Sequence, residues 1–106
     1  MLYVTTPTIA GRDIVETLGL VRGSTVRAKH VGTDIVAALK QIVGGELQGY
    51  SSLIAGAREQ AIDRMLKEAK VLGANAVVAV RLETSAITRG ASELVAYGTA
   101  VRLATP

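Results

Sequence analysis

His30 is the one histidine in the chain, and there is no cysteine. Those two counts limit the chemistry at once. Thiol catalysis, disulfides and cysteinate metal sites are excluded, and the redox compartment is left open. A histidine cluster within one chain is excluded too. By alternation His30 falls with Val26 and Ala28, so a core or interface histidine is its plain reading. The sharper reading is that symmetry in an oligomer gathers several His30 side chains around a divalent metal ion. Glu59 and Asp63 stand four residues apart in a helical pattern, the spacing that puts two carboxylates on one face, where they can hold a hard cation. Arg58 and Lys67 are close by, so a solvated, ion-paired face is the alternative. Glu46 with Asp34 makes a similar acidic pair. No serine lies in a nucleophile-elbow motif, and no carboxylate pair stands out for acid–base work.

Residues 44–49 form a glycine-rich loop before a helix N-terminus, which is where anions bind. A phosphate loop, however, follows a strand and ends in Gly-Lys-Ser/Thr. This loop follows a helical pattern and ends in Gly49-Tyr50, so a tight inter-helix connection is the better reading. Tyr3, Tyr50 and Tyr97 are isolated from arginine clusters, which leaves no stacking platform for nucleic acid.

The elements that must position these residues follow from periodicity. Leu2 to Thr6 reads as a short strand stopped by Pro7. Asp13 to Val21 reads as extended, with a bulge or bend at Gly19, and a short helix over 13–18 is the alternative. Gly23-Ser24 signals a turn, after which Thr25 to Val31 alternates, with Thr25, Arg27 and Lys29 opposite Val26, Ala28 and His30. Thr33 caps a first helix, whose face is Ile35, Val36, Leu39, Ile42 and Val43. Ser51 or Ser52 caps a second, with the stripe Leu53, Ile54, Ala57, Ala61, Ile62, Met65, Ala69 and Leu72, and Gly73 closes it. Ala76 to Val80 is apolar throughout, and alternation begins at Arg81. Residues 84–92 read as a polar loop, and Leu94 to Leu103 as the last strand.

This is one α+β domain over residues 1–106: a mostly antiparallel sheet packed by two helices. The strands at 76–80 and 94–101 are apolar on both parities, whereas a sheet covered on one side should show a polar outer face. Another copy of the chain is the simplest cover, so a homo-oligomer is expected. With no Phe and no Trp, Val, Leu, Ile and Ala must fill the core. The charge of +3 comes from 12 basic and 9 acidic residues, a modest and scattered excess that argues against nucleic acid or an anionic membrane as partner. No apolar window approaches the ~18 residues of a membrane span. A soluble, cytoplasmic protein is expected.

Ile42-Val43-Gly44-Gly45, Gly49-Tyr50, Ala57-Arg58, Met65 and Leu72-Gly73-Ala74-Asn75-Ala76-Val77-Val78 together resemble the signature of the YbjQ-like family. Thr5-Thr6 and Gly98-Thr99-Ala100-Val101 fit the same pattern. The resemblance implies a dodecin-like α+β subunit, assembly into ring-shaped pentamers and a heavy-metal-binding label without an established role. The chain departs from the pattern at Ser24 and Ser51, where a glutamate and another carboxylate often stand. The resulting expectation is an oligomeric binding or scaffold protein, holding a divalent metal ion or small ligand between subunits. The alternatives are an enzyme whose site forms between subunits, and a weak binder of nucleic acid or anionic surfaces.

Overall fold

In the computed structural model, which describes residues 1–28, 48–88 and 91–105, the alternating segments become strands and the apolar stripe becomes a helix. The order is β1 (Leu2–Tyr3), β2 (Ile14–Ala28), α1 (Gln48–Val71), β3 (Ala76–Thr88) and β4 (Ala91–Leu103). The expected first helix, residues 33–43, lies outside the described residues. One mixed sheet has the order β1-β3-β4-β2. β1 runs parallel to β3, while β4 pairs antiparallel with both β3 and β2. The domain is α+β, as the pattern predicts.

The helix begins at Gln48, ahead of the expected Ser51 or Ser52 cap. Its far end follows the sequence reading. Gly73 takes φ 85°, its amide donates to the Lys70 carbonyl, and the Ala74 amide reaches back to Ala69 at 3.1 Å. This is the paired closure that a left-handed glycine permits. Ala57, Ala61, Ile62, Met65 and Ala69 are buried, whereas Leu72, the first residue past the helix, is exposed.

A turn and a loop expected from the sequence are strand instead. Gly23-Ser24 is no turn: β2 runs straight through it, paired to Ala96 and Val95. A Cβ on Gly23 would collide with the Ala61 carbonyl oxygen and the Met65 amide nitrogen, so the glycine is the point where helix and strand backbones meet. Residues 84–88 are not loop but the end of β3, because Thr84, Ser85, Ala86 and Thr88 pair along β4 down to Ala91. Gly19 does carry the expected irregularity, with φ 123° and a register shift beside it.

The sheet has two apolar faces, each covered over part of its length. Val21, Val77, Val80, Ala96 and Ala100 pack under α1. On the opposite face Ala76, Val78, Val101 and Leu103 pack with Val4, Ile9 and Ile14. The chain's own N-terminal segment therefore covers the run 76–80, and that run does not point outward to a partner. Farther along β2 the parity also differs from expectation. Thr25 is 6% exposed, while Val26 is 62% exposed and Leu20 65%. Val26 therefore faces away from the helix.

Candidate functional site

Among the described residues, the bulge of β3 holds the one non-glycine residue with a positive φ. Pairing passes from Val78↔Thr99 to Arg81↔Tyr97, so Ala79 and Val80 together oppose Gly98. Ala79 takes φ 54°, the left-handed region that a non-glycine residue enters only at a cost. The reason lies in the N-terminal segment. The Ala79 and Val80 amides each donate at 2.9 Å, to the carbonyls of Thr6 and Val4, and the Val4 amide donates to Val77 at 3.0 Å. The bulge thus turns two β3 amides toward a chain that pairs as regular strand only over Leu2–Tyr3. Gly98 makes room for it. A Cβ there would stand 2.8 Å from Val77 Cγ1 and 3.2 Å from Val80 Cγ2.

Beside the bulge lies a groove of about 340 Å³, within the size range of small-ligand pockets. Its apolar walls are Val4 and Tyr3 from the N-terminal segment, Ile62 from α1, and Val80 and Leu82 from β3. Thr5 and Arg81 complete the lining. The Arg81 guanidinium is fixed through Nη1, which donates to the carbonyls of Thr5 at 2.9 Å and Val80 at 2.8 Å. Among the described residues no carboxylate pairs with it; Arg102, by contrast, sits 2.7 Å from Glu16.

Across the ladder from Arg81, the Tyr97 hydroxyl donates to Glu83 Oε1 at 3.0 Å. That bond to a carboxylate holds the phenol above its ordinary pKa. Desolvation and the negative charge of Glu83 push the same way, against the charge of Arg81.

The residues singled out by sequence do not converge. Glu59 and Asp63 lie on the exposed side of α1, and Asp63 is engaged by Lys67 at 3.7 Å, with both side chains more than two-thirds exposed. His30, Asp34 and Glu46 lie outside the described residues, as does most of the glycine loop, while Gln48 and Gly49 are helical. Among the described residues no three of His, Cys, Asp and Glu gather where a metal ion would sit. The groove's donors are equally unsuited, with two hydroxyls and a guanidinium but no thiolate, imidazole or carboxylate. The described residues therefore do not fit a heavy metal. Sequence reasoning missed Arg81 and Val80 as site residues. The signal was the change at Arg81 from a continuous apolar run to alternation, which is where the bulge shifts the register.

The comparisons agree with the resemblance read from the sequence. A family model described as YbjQ, "Putative heavy-metal-binding", matches residues 1–104. A UPF0145 protein of Halobacterium salinarum is 55% identical over 104 residues, covering 98% of this chain and all of that one. One from Archaeoglobus fulgidus is 57% identical over 103 residues, 97% of this chain and 95% of the relative. A solved structure of a DUF74-family protein of unknown function from Pediococcus pentosaceus superposes with a TM-score of 0.60 over 98% of both chains, at 16% identity. At that identity the likeness is one of fold. No helix among the described residues is long and apolar enough to cross a membrane.

Proposed function

The chain belongs to the YbjQ family of uncharacterised UPF0145 proteins, and on that premise we propose that it is a non-enzymatic binding module assembled from several copies of itself. The observation that carries the assembly is the helix-free face of β2. Leu20 and Val26, on one face of the same strand with Arg22 and Ser24 between them, are more than 60% exposed, and a second copy is the economical cover for such apolar side chains. The pentameric ring implied by the family resemblance is the form in which we place it. Binding is the activity the groove supports, because it offers shape, an apolar wall and one fixed charge.

Light scattering on untagged protein at micromolar concentration tests the assembly, with five times the mass of one chain expected. A monomer overturns it. Elemental analysis of the same sample tests the metal. A stoichiometric ion that survives chelation would place it on donors outside the described residues, with His30 the first to substitute.

A further inference from the structure

The groove at the β3 bulge combines three features. It is apolar on most of its wall, with Val4, Ile62, Val80 and Leu82 contributing. It is bounded by a guanidinium held in place from one nitrogen only, so that Nε and Nη2 have no bond to a described residue. It is also built at the expense of a strained backbone at Ala79, the kind of outlier from which an inference of function properly starts. A cation is the wrong occupant for a site with a positive charge and no carboxylate. A purely polar anion would leave the apolar wall unsatisfied. We propose that the groove binds a small amphipathic organic anion, an aliphatic chain ending in a carboxylate. Arg81 receives the carboxylate through its free fork of N–H donors, and the chain lies against Ile62, Val80 and Leu82. Tyr3 and Thr5 border the same space. This deepens the reading of the chain as a binding module and rests on it.

The test uses octanoate and octylammonium, which share a chain length and differ in the sign of the head group. Both are titrated into the full chain by calorimetry and followed by amide shifts in NMR spectra. Octanoate is expected to bind and to move the amides of Thr5, Val80, Arg81 and Leu82, while octylammonium does not. Arg81→Gln should weaken octanoate about tenfold or more, as expected for lost hydrogen bonds to a charged group. Should that variant fail to fold, Leu82→Glu at a 43% exposed position carries the same test, because a carboxylate at the groove should abolish octanoate binding. Equal binding of the two probes, indifference to Arg81→Gln in a folded protein, or shifts located away from the groove overturns the proposal. So do groove amides that move with protein concentration alone, which would make a second copy the occupant. Light scattering on the same sample keeps the two readings apart. A monomer that binds octanoate removes the assembly and leaves the site, and an oligomer that ignores octanoate does the reverse.

Discussion

Replacing Gly23 by alanine adds one methyl group at the most crowded point of the fold. The new Cβ would overlap the Ala61 carbonyl oxygen and the Met65 nitrogen, and would stand 2.7 Å from Arg64 Cβ. Carbon atoms rest at about 3.5–4.0 Å, so α1 must retreat from β2 by roughly 1 Å. Two of the three obstructing atoms are backbone, so no side-chain rotation relieves the overlap. A retreat of that size forfeits about a quarter to a half of the dispersion well for each contact that loses its neighbour, and here the contacts of Ala61, Met65 and Ala69 are at stake, all fully buried. Overpacking costs about 1–3 kcal/mol, and a rigid obstruction belongs at the top of that range. At about 4–8 °C per kcal/mol for a domain near this size, Gly23→Ala should lower Tm by roughly 12–24 °C. Thermal unfolding at one fixed protein concentration measures it, since assembly would make Tm depend on concentration. Gly56→Ala is the control: this helical glycine has nothing within 4 Å of an added Cβ, and the change should stabilise by about 0.5–1 kcal/mol. A Gly23→Ala protein within about 0.5 kcal/mol of the wild type, the scatter of a neutral surface substitution, would show that helix and strand do not meet at this glycine.

Asn75 bridges the start of β3 to the end of β4, accepting from the Leu103 amide at 2.7 Å and donating to its carbonyl at 3.2 Å. Asn75→Ala leaves two half-buried backbone groups unpaired and should cost about 1–3 kcal/mol in denaturant unfolding. Lys67→Ala removes the exposed pair with Asp63 and should change stability by no more than about 0.5 kcal/mol, with the remainder vanishing in high salt. Glu83→Gln removes the carboxylate that holds the Tyr97 phenol high. Ultraviolet titration should then find the Tyr97 step at lower pH than in the wild type, and an unmoved step would mean that the Tyr97–Glu83 bond does not form in solution.

Features fixed by a short segment were legible in the sequence. Gly73 closes a helix because its neighbours end an apolar stripe there, and Gly19 disturbs a strand because it interrupts alternation; both read correctly from about ten residues of context. Gly23 did not. A glycine inside a strand and a glycine in a turn carry the same local signature, and what separates them is Ala61 and Met65, some forty residues away. Thr84 and Ser85 looked like loop for a related reason. Polar residues are tolerated in a ribbon whose ladder is completed by Leu94 and Glu93, and that pairing has no signature within residues 84–92. The choice between Thr25 and Val26 for the inner face failed because hydrophobicity favours Val26, whereas the register set by Val21 and Gly23 puts Thr25 under the helix. Of the site, the carboxylates on α1 were visible by their spacing yet turned out to face solvent. The groove drew its residues from three segments that only the fold brings together.

The composition that made the core unusual also explains why a groove remains at the bulge. A chain with no Phe and no Trp closes its interior by bringing backbones near one another. Among the described glycines, Gly23 under Ala61 and Gly98 beside Val77 are the two where that approach is tightest. Close approach works where strand and helix run past each other regularly. At Ala79 the regularity ends, because the two amides turned toward Val4 and Thr6 lift the N-terminal segment out of the ladder. The space that opens would take a large aromatic side chain to fill, and the residues present are Ile62, Val80 and Leu82. Filling such a space from within is the ordinary way to gain stability, since each deficit of packing costs on the order of 1 kcal/mol. Here the opening coexists with a left-handed alanine, which adds roughly 1–3 kcal/mol of its own. Two local costs at one spot, with a fixed guanidinium beside them, are hard to reconcile with a part of the fold that serves packing alone. They are what a site retained for a ligand would look like, and the ligand must supply the apolar surface and the negative charge that the chain itself leaves out.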